Sequence, residues 1–277
     1  MSKAAEPATL CQWAIAVLNT PDAGRKARLT RQAWHLWQQG DLPLGHADEG
    51  SVPAHPARPP RPQLLAPGQM PRRRGNSPGA VAAMVHAVLH IELNAIDLAW
   101  DIIARFATVM PRAFSDDWAR IAAEEAKHFN LLNKCIDDLG YQYGDFPAHD
   151  GLWEAAAETT ADPAARLAIV PMVLEARGLD VTPQIIARMR ARGHEDIAAA
   201  LEVIFEEEIG HVAAGCRWFA YLCAERRLDP CAHFHNLVRR HFKGRLKPPF
   251  NDMARERAGL LRDFYVPLSH VKNAAAQ

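Results

Sequence analysis

Glu125-Ala-Lys-His128 and Glu208-Ile-Gly-His211 are two copies of one pattern, Glu-x-x-His, and each follows another helix-compatible glutamate, Glu92 or Glu175, by 33 residues. Residues three apart on a helix share a face, so the carboxylate and imidazole of each copy reach one point in space. A four-helix bundle holds two metal ions when two helices each give an inward Glu and the other two each give Glu and His at i and i+3. The chain supplies that inventory in order, and the expected fold class is all-α, built on a four-helix bundle.

The neighbours of each glutamate decide between a buried site and a solvated surface pair. An exposed glutamate has polar residues at i±3, i±4 and i±7, whereas here those positions are apolar. Val85, Val88, Leu89, Ala95, Ile96 and Ala99 surround Glu92, and Trp118, Ile121, Ala122, Phe129, Leu132 and Ile136 surround Glu125 and His128. Glu175 sits among Ala168, Pro171, Met172 and Leu179, and Glu208 and His211 among Leu201, Ile204, Val212, Trp218 and Phe219. Burying one uncompensated carboxylate costs several kcal/mol, against a total margin of about 5–15 kcal/mol for a domain. These faces carry no Lys or Arg. Two divalent cations balance four carboxylates, and carboxylate with imidazole suits iron, manganese or zinc. The expected ligands are Glu92, Glu125, His128, Glu175, Glu208 and His211, around two ions roughly 3.5–4 Å apart.

The rest of the chain bounds this reading. Its 277 residues are 49% hydrophobic and 23% charged, with zero formal net charge, which implies no general attraction to nucleic acid or acidic membrane. No apolar run approaches the roughly 20 residues of a membrane span, and Met1-Ser-Lys-Ala-Ala-Glu6 lacks the pattern of a secretory signal, so the expected location is cytoplasmic. Cys11, Cys135, Cys216, Cys223 and Cys231 form no Cys-x-x-Cys, which fits reduced thiols used in packing and places any electron donor outside the chain.

Four segments are expected. Residues 1–40 are a helical appendage with helices near 7–18 and 22–39. Residues 41–79 are a Pro- and Arg-rich extended arm, whose Arg58, Arg61, Arg72, Arg73 and Arg74 fit phosphate or RNA but read first as a solvated arm wrapping the bundle. Residues 80–226 are the bundle: a helix from Ala80 to about Val109, a second capped by Ser115-Asp-Asp117 and ending near Gly140, and a crossover over 141–162. A third helix then starts after Asp162-Pro163, broken by Pro171 and Gly178 and restarting at Thr182-Pro183, and a fourth spans about Glu195 to Arg226. Residues 227–277 give shorter helices packed outside. Lesser candidates are His86 and His90, off the Glu92 face; Asp97 and Asp101, as partners fixing the histidines or as solvated charges; Arg177, His149 and Asp150, at a substrate mouth or in surface pairs; and His233-x-His235, expected to be exposed.

His90-Ile-Glu-Leu-Asn-Ala-Ile-Asp97, Glu124-Glu-Ala-Lys-His-Phe129, Gly144-Asp-Phe-Pro-Ala-His-Asp-Gly-Leu-Trp153, Glu175-Ala-Arg-Gly-Leu-Asp180 and Glu208-Ile-Gly-His-Val212 resemble the uncharacterised ferritin-like family called domain of unknown function 455. The resemblance runs over nearly the whole chain, including Met70-Pro-Arg-Arg73. It implies a ferritin-like bundle with extra terminal helices, within the superfamily of di-iron carboxylate proteins, and leaves the reaction open. Among those relatives two intact Glu-x-x-His copies resemble oxygen-activating enzymes more than storage ferritins. None of Tyr141, Tyr143, Tyr221 and Tyr265 lies within two helical turns of a ligand in sequence.

The leading expectation is an oxidoreductase with two irons, or manganese or a mixed pair, using O2, an external electron donor and an unidentified small-molecule substrate, with no catalytic residue beyond the ligands. The alternative is iron or peroxide handling without an organic substrate, and a third is a scaffold with a structural site. A cavity beside Glu175 is expected of the enzyme.

Overall fold

The computed structural model describes residues 6–48, 50–71 and 78–269; Arg72, Arg73 and Arg74 of the arm, and the opening residues 1–5, lie outside these. The fold is all-α: the described residues form helices joined by turns and extended segments, with one isolated parallel bridge, Leu64 to Ala148. The chain divides into two compact units at Trp153, inside the span expected for the bundle, so that two of the four glutamate-bearing segments fall in each unit.

In the first unit Thr9 caps α1 (Leu10–Leu18), its side chain accepting from the Gln12 amide, and Asp22 caps α2 (Ala23–Gln39) by accepting from Arg25. Gly40 closes α2 in the left-handed conformation at φ 77°. Two long helices follow, α3 (Pro78–Phe106), continued by one 3-10 turn, and α4 (Arg112–Asp138). The expected Ser115 cap is not used. Pro111 forces Met110 into extended backbone (φ −118°, ψ 157°), which moves the cap from Ser115 back to Pro111 and leaves Ser115 buried inside α4. α3 packs chiefly on α4 and also on α1, while α2 lies against α4. By length and composition alone α3 is apolar enough to cross a membrane, but 61% of its apolar window is buried and it carries buried Glu92, Asp97 and Asp101. Those are the marks of a core helix.

The arm wraps this unit by backbone bonds. The Ala57 amide donates to Leu18 O at 2.7 Å, Trp153 Nε1 donates to Ala54 O at 3.1 Å, the Leu65 amide donates to Ala148 O at 2.8 Å and the Ala148 amide to Gln63 O at 3.0 Å. Arg58 corrects the solvated reading of the arm. It is mostly buried, hydrogen-bonded to Asn94 Oδ1 of α3 and ion-paired with Asp150 at 2.9 Å.

After a short helix α5 (Gly151–Ala157), the second unit opens with Asp162 accepting from the Ala164 amide to cap α6 (Pro163–Ile169), as the Asp-Pro signal implied. The chain then widens into a π-helical segment, Val170–Glu175, and continues as α7 (Ala176–Arg190). Pro171 has no amide hydrogen and its ring collides with the carbonyl four residues back; a wider turn relieves both. Gly178 and Pro183 were expected to interrupt and restart the helix, but α7 runs through both. The carbonyl that Pro183 leaves without its helical donor is that of Leu179, and Asn251 Nδ2 donates to it at 3.1 Å.

α8 (Glu195–Arg226) is uninterrupted, as expected, and α9 (Pro230–His241), α10 (Asp252–Arg257) and α11 (Arg262–Ser269) complete the unit. Pro267 inside α11 repeats the device. The carbonyl of Asp263, four residues before it, lies 2.9 Å from His235 Nε2 and 3.2 Å from Cys231 Sγ. His235 therefore works in packing, as does His233, whose ring stacks on Phe219.

Candidate metal centre

On α4 the i, i+3 spacing sets Glu125 and His128 on one face, among Ile121, Ala122, Phe129 and Leu132, all buried. Glu92 of α3 meets them. His128 Nδ1 lies 3.2 Å from Glu92 Oε2 and 3.3 Å from Glu125 Oε2, with Glu92 2% exposed and the other two fully buried. Each offers one donor atom within 4.8 Å of the others. Oxygen and nitrogen ligands about 2.0–2.2 Å from one ion, at tetrahedral or right angles to each other, stand roughly 3.0–3.4 Å apart. The observed separations fit a shared cation, and two buried carboxylates beside one imidazole supply the negative charge to hold it.

The second unit presents the other copy. Glu208 and His211 sit one helical turn apart on α8, Oε2 to Nδ1 3.7 Å, with the His211 side chain fully buried and that of Glu208 13% exposed. Glu208 Oε2 makes no hydrogen bond among the described residues. Glu175 closes the π-helical segment that packs on α8. Gly215 makes that packing tight: a Cβ there would stand 2.6 Å from the Cβ and Cγ of Pro171, so the proline ring occupies the space a side chain would take. The backbone distortion before Glu175 and the absent side chain on α8 are one arrangement, and it sets where Glu175 lies along the helix bearing Glu208 and His211.

Around Glu92 a polar network appears that the sequence reading did not assemble. Lys26 of α2, 1% exposed, forms an ion pair with Asp97 and donates to Ala57 O at 3.1 Å. Burial pushes the lysine down and the carboxyl up, and their mutual attraction opposes both. Asp101 binds Arg105 at 2.8 Å, so both aspartates are buried and ion-paired and not solvated charges. His90 Nδ1 lies 2.8 Å from the Tyr143 hydroxyl, and His86 stacks on the Tyr143 ring and accepts from the Gly144 amide at 2.9 Å. Burial, then the charge of Arg58, brings His90 down to about 3, which keeps its ring neutral, and burial raises the Tyr143 phenol. Tyr143, remote in sequence, thus stands one hydrogen bond from a residue two places before Glu92. The one sequence hint was that His86, His90 and Asn94 recur four apart on α3, a polar stripe beside the Glu92 face.

Other candidates resolve into structure. Arg177 binds Asp180 and the carbonyls of Lys247 and Pro249, and His149 accepts from the Gly151 amide. Burial raises the thiols of Cys11 and Cys223 to about 11 and of Cys216 to about 12, so they are poor nucleophiles. Three cavities of about 970, 550 and 590 Å³ lie at α2 and α4, at α7 and α8, and between the start of α2, Pro59–Arg61 and Tyr143; none of the three is lined by Glu175 or by any other of the six expected ligands.

Comparison with known proteins follows the same extent. An uncharacterised protein of Haemophilus influenzae is 43% identical over 211 residues, 73% of each chain. No solved structure matches. The family model described as Protein of unknown function (DUF455) matches residues 19–266, a span that takes in Glu92, Glu125, His128, Glu175, Glu208 and His211, and the chain belongs to that family.

Proposed function

We propose that this protein is a ferritin-like di-iron carboxylate oxidoreductase. Glu92, Glu125, His128, Glu175, Glu208 and His211 would hold two irons, and the pair would act as one binuclear centre that uses O2 to oxidise or hydroxylate a small organic substrate. The observation that carries this reading is the convergence of Glu92, Glu125 and His128 at metal-donor spacing inside an apolar wall. The repeated pattern on α8, with the same 33-residue lead from a second glutamate, supports the second ion.

Reduced iron, when bound, supplies the electrons that activate O2. The chain's own residues do the rest. His128 and His211 would each offer one ring nitrogen, the glutamates would offset the ions' charge, and buried Leu89, Ile96, Ile121 and Leu132 wall the site with apolar surface. The singly placed cysteines are not arranged as an iron–sulfur relay, so the reading needs an external donor or a two-electron substrate.

Iron or peroxide handling is the second reading, and one observation favours it: none of the three cavities described above borders the six ligands. Oxygen uptake separates the two. With iron loaded anaerobically, reductant present and O2 admitted, an oxidase consumes O2 over many turnovers and His211→Ala abolishes this. A single burst in proportion to the ferrous iron loaded, with no further uptake while reductant remains, selects iron handling.

A further inference from the structure

We propose that the groove between α2 and α4 binds a nucleotide-type ligand, whose phosphates lie on two rows of cations and whose base stacks on Trp34. This site is distinct from the proposed metal centre and does not depend on it.

The groove occupies about 970 Å³, and both of its walls come from the first unit. On α2 the lining residues Arg28, Arg31, Trp34, His35 and Gln38 recur at helical spacing, and on α4 Arg120, Lys127 and Lys134 recur every seven residues, which is one face of each helix. At a rise of about 1.5 Å per residue the α4 row extends roughly 20 Å, with cations about 10 Å apart. The groove holds five formal positive charges against a single acidic side chain, Glu124, in a chain whose total is zero. Arg120 is already engaged by Glu124 at 2.5 Å, and Lys134 by Asp138 at 3.2 Å. Arg28 and Arg31 take part in no ion pair among the described residues, so their guanidinium forks can meet phosphate oxygens.

Three features select the ligand. A concentrated positive field in a cleft attracts a polyanion. An aromatic ring among the cations gives the planar base of a nucleotide a face to stack on. Beside Trp34 its apolar lining is Ala123 and Leu131, whereas a helix face held in a lipid surface presents a continuous apolar stripe. The amides of Gln32, Gln38 and Asn130 at its sides offer both donors and acceptors to base edges.

Fluorescence polarisation of the full chain with a labelled ten-residue single-stranded oligonucleotide tests the proposal. Saturable binding is expected at about 50 mM salt, weakening as salt rises with a log–log slope near −0.7 for each phosphate neutralised. Arg28→Ala with Arg31→Ala should weaken binding at least tenfold and reduce the slope by roughly one to two. Trp34→Leu should weaken it about tenfold with the slope unchanged, because stacking carries no charge. Arg188→Ala, exposed on α7, serves as the control. ATP displacing the probe as well as unlabelled oligonucleotide does assigns the groove to free nucleotides, and displacement by the oligomer alone assigns it to a strand. Failure to bind either, binding that survives both variants, or equal displacement by polyglutamate would overturn the proposal.

Discussion

Glu125 is the residue on which the buried cluster turns. Fully buried and 3.3 Å from His128 Nδ1, it shares the histidine with Glu92, and without a cation two carboxylates contend for one imidazole. Glu125→Gln keeps the shape and removes one negative charge. We expect the metal-free variant to be more stable than the metal-free parent, by about 1–2 kcal/mol, and to gain nothing from added iron, whereas the parent is stabilised by it. Denaturant titrations of both proteins with and without chelator check this, and a variant that still gains stability from metal contradicts it. The burial of Glu125 beside His128 was legible because helical spacing and apolar neighbours lie within a few residues of it. The roles of Lys26 and Tyr143 were not, because the groups they meet, Asp97 and His90, lie 71 and 53 residues away along the chain. Periodicity reports which face is buried and is silent on which distant polar group arrives there.

Among the elements, the π-helical segment and α7 show where local rules were sufficient and where tertiary structure overrode them. The Asp162-Pro163 start and the uninterrupted α8 follow from capping and pattern alone. The prolines do not: Pro171 widens the helix, while Pro183 leaves it running because Asn251, 72 residues from Leu179, reaches back to the freed carbonyl. Asn251→Ala removes that donor, together with the side-chain cap on the Ala254 amide, and should cost about 1–3 kcal/mol in a chemical denaturation midpoint. A loss no larger than that of a surface substitution would mean that solvent satisfies Leu179 equally well. Gly215→Ala places a methyl group on the Pro171 ring and should cost a further 1–3 kcal/mol or so, and it should displace Glu175 relative to Glu208 and His211. Weakened iron loading in a variant that remains folded by circular dichroism is the expected result; unchanged loading would detach Gly215 from the site.

For the whole molecule, the division at Trp153 gives each compact unit one glutamate-bearing segment and one Glu-x-x-His helix. The all-α class followed from helical periodicity, and the family from motifs spread across both units. The division itself was not legible, because the terminal helices read as appendages until α1 and α2 were seen packed on α3 and α4, and α9 and α10 on the helices of the second unit. The central claim, two irons in one coupled centre, is tested most directly by metal analysis and magnetic spectroscopy of one sample of the full chain, purified without added metal. The account predicts two first-row ions per chain, mostly iron, with the antiferromagnetic coupling of neighbouring ferric ions and loss of that coupling in Glu125→Gln. Protein that holds a single ion per chain, two magnetically isolated irons, or an oxygen-inert zinc pair would contradict it.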